Sequence, residues 1–269
     1  QAAWQPEQLS GNAARYLLIF EQVRLPRVVL ALVVGMSLGL AGAALQGLLR
    51  NPLAEPGLLG ISSSASLGAV LCIYFGLWQW NAWSLPVSAM LVASASTLVL
   101  YRIASRGASN LTLILAGVAL SSLAAALTAL AINLAPTPTD MQDIVLWLMG
   151  SLADRSFADL RLCLPFVLAG VLLLAGSARS LDALTLGEDE ASSLGLSLPR
   201  LRAQIIAGTA LCVGSSVAVT GSIGFIGLVV PHLFRAAVGH QASKLLLPSA
   251  LGGAILLLAA DIALRLLSG

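Results

Sequence analysis

RSLDALTLGEDEASSLGLSLPRLR, residues Arg179–Arg202, is a polar island between two apolar runs, each long enough to cross a bilayer. Charged residues make up only 10% of the 269-residue chain, whose Asp and Glu total 12, yet Asp182, Glu188, Asp189 and Glu190 all fall here. The island reads as folded. Thr185 is placed to cap a helix whose third residue, Glu188, completes a capping box. The acids crowd its first turn, where the helix dipole favours negative charge. Gly195 supplies a left-handed stop, and Ser197 with Pro199 opens the next helix. A short acidic helix held at a membrane surface is a handle for another protein.

The rest of the chain sets the fold class. Apolar residues are 58% of the total and the mean hydropathy is +0.93, far above a soluble domain. About 20 apolar residues span the hydrocarbon core as a helix. Eight runs qualify, at 26–48, 58–77, 85–104, 111–135, 160–178, 203–220, 223–239 and 246–267. The runs at 58–77 and 223–239 are short or rich in Gly and Ser. None alternates with the period of two that a barrel strand requires. The expected fold is therefore all-α, a polytopic transmembrane helical bundle with eight spans. Residues 1–269 form one transmembrane domain, and 179–202 form its surface helices.

A net charge of +2 gives no basis for binding nucleic acid. Cys72, Cys163 and Cys212 each lie inside an apolar run and read as small buried hydrophobes. Gln1 to Gln22 reads as polar, without the basic start and apolar core of a signal peptide. Counting the spans in order leaves Arg50, Arg102, Arg106, Arg179, Arg200, Arg202, Arg235 and Lys244 on one side. Arg15, Arg24, Arg27, Arg155, Arg161 and Arg265 lie on the other. The positive-inside rule narrowly makes the first side cytoplasmic, with the island on it and both ends outside.

Small residues pattern the spans. Gly35, Gly39 and Gly42, with Ala41, Ala43 and Ala44, permit close approach of a neighbouring helix, and Gly252 and Gly253 do the same near the end. Tyr74, Trp78, Trp80 and Trp83 gather where the second run ends and the third begins, as an interfacial belt. After PTPTDMQD (Pro136–Asp143) a short helix from about Met141 to Met149 carries Trp147. It either re-enters the membrane to line a cavity or connects two spans at the surface. Asp261, deep in the last run, has Arg265 four residues on along the same helix face.

Enzyme signatures are missing. The chain has no phosphate-binding G-x-x-x-x-G-K-[ST] loop, no G-x-S-x-G elbow and no H-E-x-x-H pair. His232 and His240 have no companions at metal-ligand spacing, so no metal site or bound cofactor is expected. An ion-driven transporter would show paired acids or broken helices at the midplane, and an intramembrane protease would need a nucleophile or metal partner for His232.

Two further segments carry a family resemblance. RLPRVVLALVVGMSLGLAGAALQGLLRNPLAEPGLLG (Arg24–Gly60) and GSIGFIGLVVPHLFR (Gly221–Arg235), with LGEDEASSLGL, resemble the permease subunits of ABC importers for iron complexes, heme and vitamin B12, the type II importers. The resemblance runs in order over essentially the whole chain. LLPSALGGAILLLAAD and WLMGSL are worded most like heme permeases. Asn51, Pro52, Glu55, Pro56, Pro231, His232 and Arg235 are its motif positions.

The resemblance implies a fold of ten helices per subunit, with this chain running from just before the second to the end of the ninth. It implies a second copy of the chain, two ATPase subunits that hydrolyse Mg-ATP, and a periplasmic binding protein, all at a bacterial inner membrane. Arg24, Arg27 and Arg265 match the positions that receive the binding protein. Leu186, Gly187, Glu188, Glu190, Leu194 and Gly195 match the coupling helices that dock on the ATPase. Ser109 and Asn110 match the cytoplasmic gate, and Trp147 matches a helix lining the path. The implied function is uptake of an iron complex, heme by preference, with a ferric siderophore or vitamin B12 as the alternative cargo.

Overall fold

The computed structural model describes residues 15–81, 83–238 and 241–268, and His240 lies outside them. Eleven helices are found among the described residues, with no strand. The first, α1 (Leu25–Leu49), continues a helical stretch that begins at Arg15, earlier than the apolar run at 26–48 suggests. A single π turn, Phe20–Arg24, joins the two parts. Pro26 explains it, because its missing N–H breaks the regular ladder and the register slips by one.

Next come α2 (Ile61–Tyr74), α3 (Ser84–Ser105), α4 (Asn110–Asn133), α5 (Pro138–Met149) and α6 (Phe157–Gly176). The island holds α7 (Ala178–Leu184) and α8 (Glu188–Ser193). The chain closes with α9 (Leu198–Thr220), α10 (Ile226–Val238) and α11 (Ala242–Ser268).

Six of these helical stretches are long and apolar enough to cross a membrane, rather than the eight expected. The two that fall short, α2 and α10, occupy the runs at 58–77 and 223–239. At 1.5 Å per residue, α2 spans roughly 21 Å and α10 roughly 20 Å, less than the ~30 Å core. Each is entered through non-helical backbone, partly buried before α2 and emerging to the exposed Phe225 before α10. Before α2, a 3-10 turn at Pro56–Leu59 ends on Gly60 in the left-handed conformation, with Pro56 and Leu59 buried. Before α10, Gly221–Phe225 is non-helical.

Helix packing sets which spans form the centre. α1 and α9 are both 78% buried over their apolar windows, against 22% for α4, so α1 and α9 form the axis and α4 lies outside. A buried Ser37–Ser216 hydroxyl contact at 2.9 Å links the axial pair. The most extensive packing joins α1 to α11. There a Cβ on Gly39 would overlap the Ser249 carbonyl, and one on Gly42 would overlap that of Gly227 in α10. Side-chain-free crossings let backbones meet where hydrophobic burial gives no preference for protein over lipid. Cys72, Cys163 and Cys212 are buried and unpaired.

The island is folded, but not by the expected capping box. Thr185 ends α7 in helical geometry, its hydroxyl donating to the Asp182 carbonyl at 2.6 Å. Gly187 caps α8 without a side chain. Glu188 is drawn instead to Arg202, across the fold, and that charge-assisted contact outcompetes the local cap. Gly195 does take the left-handed stop, with φ 87°. Asp182 Oδ1 accepts from the Ser243 backbone N–H at 2.9 Å, tying α7 to the start of α11.

Candidate translocation cleft and coupling surface

Two polar clusters lie at opposite ends of α1. Arg27 near one end and Leu48 near the other are separated by 21 residues of helix, roughly 32 Å and close to the hydrocarbon thickness.

At the first end Asp261 is gripped from two helices. Arg27 donates through Nε to Asp261 Oδ1 and Oδ2 at 2.9 and 3.0 Å, and Arg265 Nε donates to Oδ2 at 3.0 Å. The Asp261 side chain is 3% exposed, against 16% for Arg27 and 34% for Arg265. Two arginines against one carboxylate leave the cluster at +1. Arg24 stands beside it, exposed at the head of α1. The expected docking arginines are therefore brought together: Arg27 and Arg265 both pair with Asp261, Arg265 with 34% of its side chain still exposed, and Arg24 is exposed.

At the other end the island meets the α3–α4 loop. Ser109 caps α4, accepting from the Thr112 N–H at 3.2 Å. Asn110, the first residue of α4, donates through Nδ2 to the Leu48 carbonyl at 3.3 Å. Arg202 donates to Asn110 Oδ1 at 3.1 Å and to Glu188 Oε1 at 2.8 Å. Leu186 and Leu194 are 65% and 70% exposed, and Glu190 is exposed too, so α8 and the leucines flanking it present acidic and apolar groups away from the bundle.

Between these ends lies a cleft whose polar lining is mostly hydroxyl, set among apolar side chains and glycines. Three adjoining cavities of about 320, 190 and 460 Å³ all include Ser63. Ser66, Thr128 and Ser222 line the first, Glu55 and Ser62 the second, and Ser121 and Ser122 the third. Both broken segments border the middle cavity, with Pro56 against Gly227 and Gly224–Phe225 alongside. Irregular backbone at this depth is tolerated where it lines a cavity. Glu55 is the carboxylate at the cleft wall, and desolvation by partial burial raises its pKa above the ordinary 4.5. The Ser66 hydroxyl is buried and finds no protein partner.

The other motif residues support this wall. Asn51 Oδ1 accepts from the Leu53 N–H at 2.9 Å, turning the chain after α1, with Pro52 exposed in the turn. Arg235 donates to Gln46 Oε1 at 2.8 Å, and Gln46 Nε2 donates to the Leu228 carbonyl at 3.2 Å. Pro231 is buried within α10, and His232 is exposed. Among the described residues no group of three or more His, Cys, Asp or Glu could hold a metal.

Trp147 does not line the hydroxyl cleft; its neighbour Leu148 does. The indole borders a separate cavity with Trp78, Asp143 and Asp154, and Arg155 lies 5.4 Å from its ring centroid. Partial burial lowers the Arg155 pKa, with Asp159 and Asp154 working against the shift. α5 is anchored where Ile144 packs, fully buried, with Val70, Ile73 and Ala131. The seven cleft hydroxyls were missed in the sequence. Single serines in apolar runs carry no signal of which helix face they share until the broken segments are placed.

A bundle of apolar helices around a hydroxyl-lined cleft, with charged surfaces at both ends, is the architecture of a membrane permease. A sequence profile described as the FecCD transport family matches residues 4–269, and the chain belongs to that family, the permeases of FecCD-type ABC importers. It is 44% identical over 262 residues to the uncharacterized ABC transporter permease protein YvrB of Bacillus subtilis (strain 168), covering 96% of this chain and 74% of that one. It is 40% identical over 255 residues to the vitamin B12 import system permease protein BtuC of Salmonella schwarzengrund (strain CVM19633), covering 94% and 77%. A solved inward-facing conformation of a putative metal-chelate type ABC transporter superposes with a TM-score of 0.88 at 35% identity, covering 99% of this chain and 83% of that chain.

Proposed function

We propose that two copies of this chain enclose a path along the hydroxyl-lined cleft, through which an ATP-driven importer carries a bulky metal chelate across a bacterial inner membrane. The observation that carries this reading is the polar arrangement along α1. An arginine-rich rim stands at one end, and an island tied to the α3–α4 loop stands at the other. A binding protein with acidic lobes docks on Arg24 and Arg265, where rim charges steer encounter and set register. Two ATPase subunits, which hydrolyse Mg-ATP, seat α7 and α8. Closure of the ATPases moves Leu186–Gly195, and the gate at Ser109–Asn110 follows. The chain itself contributes no catalytic group.

The cleft suits a cargo that is released rather than held. Hydroxyls exchange weak hydrogen bonds with a passing chelate, whereas His or Cys would take over its metal. Of the chelates that fit, vitamin B12 comes first because a relative at 40% identity carries that name. Heme is the second reading, favoured by the wording LLPSALGGAILLLAAD. The test is uptake into liposomes holding the permease with its ATPase and binding protein, using cyanocobalamin, hemin and a ferric hydroxamate in turn. ATP-dependent accumulation of one of them supports the proposal; no ATP-dependent uptake of any sinks it.

A further inference from the structure

Arg202 is the most deeply buried arginine that pairs with the coupling helices. It sits in the first turns of α9 with 5% of its side chain exposed, while its partner Glu188 is 39% exposed. Its guanidinium uses two different donors. Nη2 reaches Glu188 Oε1 at 2.8 Å on α8, and Nε reaches Asn110 Oδ1 at 3.1 Å on α4. Asn110 passes the connection on, donating to the Leu48 carbonyl at the end of α1 at 3.3 Å. Four helices, α8, α9, α4 and α1, thus meet through the side chains of Glu188, Arg202 and Asn110 and the Leu48 carbonyl.

The chemistry makes this more than a structural tie. A guanidinium is planar and always charged, and its donors are fixed relative to one another. Holding Glu188 and Asn110 at once therefore sets the distance between the coupling helix and the first turn of α4. The cation is too buried for water to replace Glu188 cheaply, so separating the pair would leave an uncompensated charge. Displacing α8 without Arg202 is costly; displacing α8, Arg202 and Asn110 together is not. Glu188, being half-solvated, can turn with α8 while keeping its bond.

We propose that Arg202 is a positioning residue for coupling, carrying motion of the ATPase-facing helix α8 to the gate at Asn110. The inference rests on the coupling role of α7–α8 proposed above. It makes the island a lever with a defined point of attachment rather than a flat docking surface.

The test has two readouts on the complete complex with its ATPase. The first uses spin labels at Ala108, in the gate loop, and Ser193, on α8. In the wild type their separation stays constant between nucleotide-free and ATP-bound states, because both move as one body. In Arg202→Ala it changes with nucleotide. Arg202→Lys, whose single ammonium lacks the two separated, fixed donors of the guanidinium, also lets it change, by less than Arg202→Ala does.

The second readout is chelate uptake per ATP hydrolysed. Arg202→Ala and Asn110→Ala each lower that ratio about tenfold, within the usual range of coupling energies. The double variant falls no further, since both break one link. Gel filtration and ATP turnover confirm that each variant complex is assembled. The inference is overturned if the wild-type separation changes as much as that of Arg202→Ala. It is also overturned if the ratio stays normal, or if the double variant loses the product of the two single effects. A wild-type complex that binds no ATPase contradicts the coupling role of the island instead, so the two failures are told apart.

Discussion

The two arginine–carboxylate clusters use the same chemistry in opposite ways. At Asp261 the acid is buried and two arginines close over it; at Glu188 the acid is half in solvent and the arginine is buried. The first cluster joins α1 to α11, helices already locked where Gly39 meets Ser249 and Gly35 meets Gly253. The second joins short surface helices to the ends of long ones. A clamp between elements that cannot separate adds rigidity. A link between elements that are otherwise loosely joined transmits motion. On the function proposed above, the Asp261 end holds its shape under a docking protein and the Glu188 end is the one that is moved.

The sharpest way to break this comparison is to remove the buried acid. Asp261→Ala strands two arginine side chains, and breaking such a buried pair costs about 3–5 kcal/mol. A large drop in the thermal unfolding temperature in detergent is expected, and an unchanged temperature would make the cluster ornamental. Glu188→Gln at the other end keeps an acceptor for Arg202 on a half-solvated side chain. It also removes the charge that compensates the buried Arg202, so it should lower the unfolding temperature, though less than Asp261→Ala, which takes away charge and acceptors together, while uptake per ATP falls.

Reversing the exposed rim charge, Arg24→Glu, should slow association of the binding protein severalfold, most strongly at low salt. ATP turnover without that protein should stay unchanged. Arg27→Glu differs in kind, because it attacks the Asp261 clamp and should reduce folded yield. Equal behaviour of the two variants would mean that Arg27, too, serves docking.

The smallest effect is expected at Glu55. Burial raises its pKa in the folded protein, so its charge opposes folding once the pH exceeds the ordinary 4.5. The sign follows: stability is gained as pH falls through the raised value and lost as pH rises through it. Glu55→Gln should flatten that dependence and slightly raise the unfolding temperature at neutral pH. A lower temperature there would mean that the carboxylate is stabilised by a partner.

Much of this was legible in the chain. Hydropathy identified the helical spans, glycine spacing marked α1 as a close-packing helix, and the island announced itself by charge. What failed did so for identifiable reasons. Composition alone cannot separate a full span from a 14-residue helix with a broken lead-in, so α2 and α10 were counted as spans. The Asp261–Arg265 pair was visible because helical residues four apart share a face. Its stronger partner Arg27 lies 234 positions away and was not. Glu188 satisfied a local capping pattern, but Arg202 offered full charge in place of one N–H. Trp147, matched by resemblance to a path-lining helix, stands one helical step of about 100° from Leu148, the residue of that helix that borders the hydroxyl cleft.

The central claim is that ATP hydrolysed by a partner drives a metal chelate through this chain. It is tested most directly by uptake into liposomes carrying the permease, its ATPase and its binding protein. Accumulation of cyanocobalamin or another chelate should require ATP and all three components, and should persist when ion gradients are collapsed. Accumulation driven by an ion gradient through the permease alone, without ATP, would contradict it.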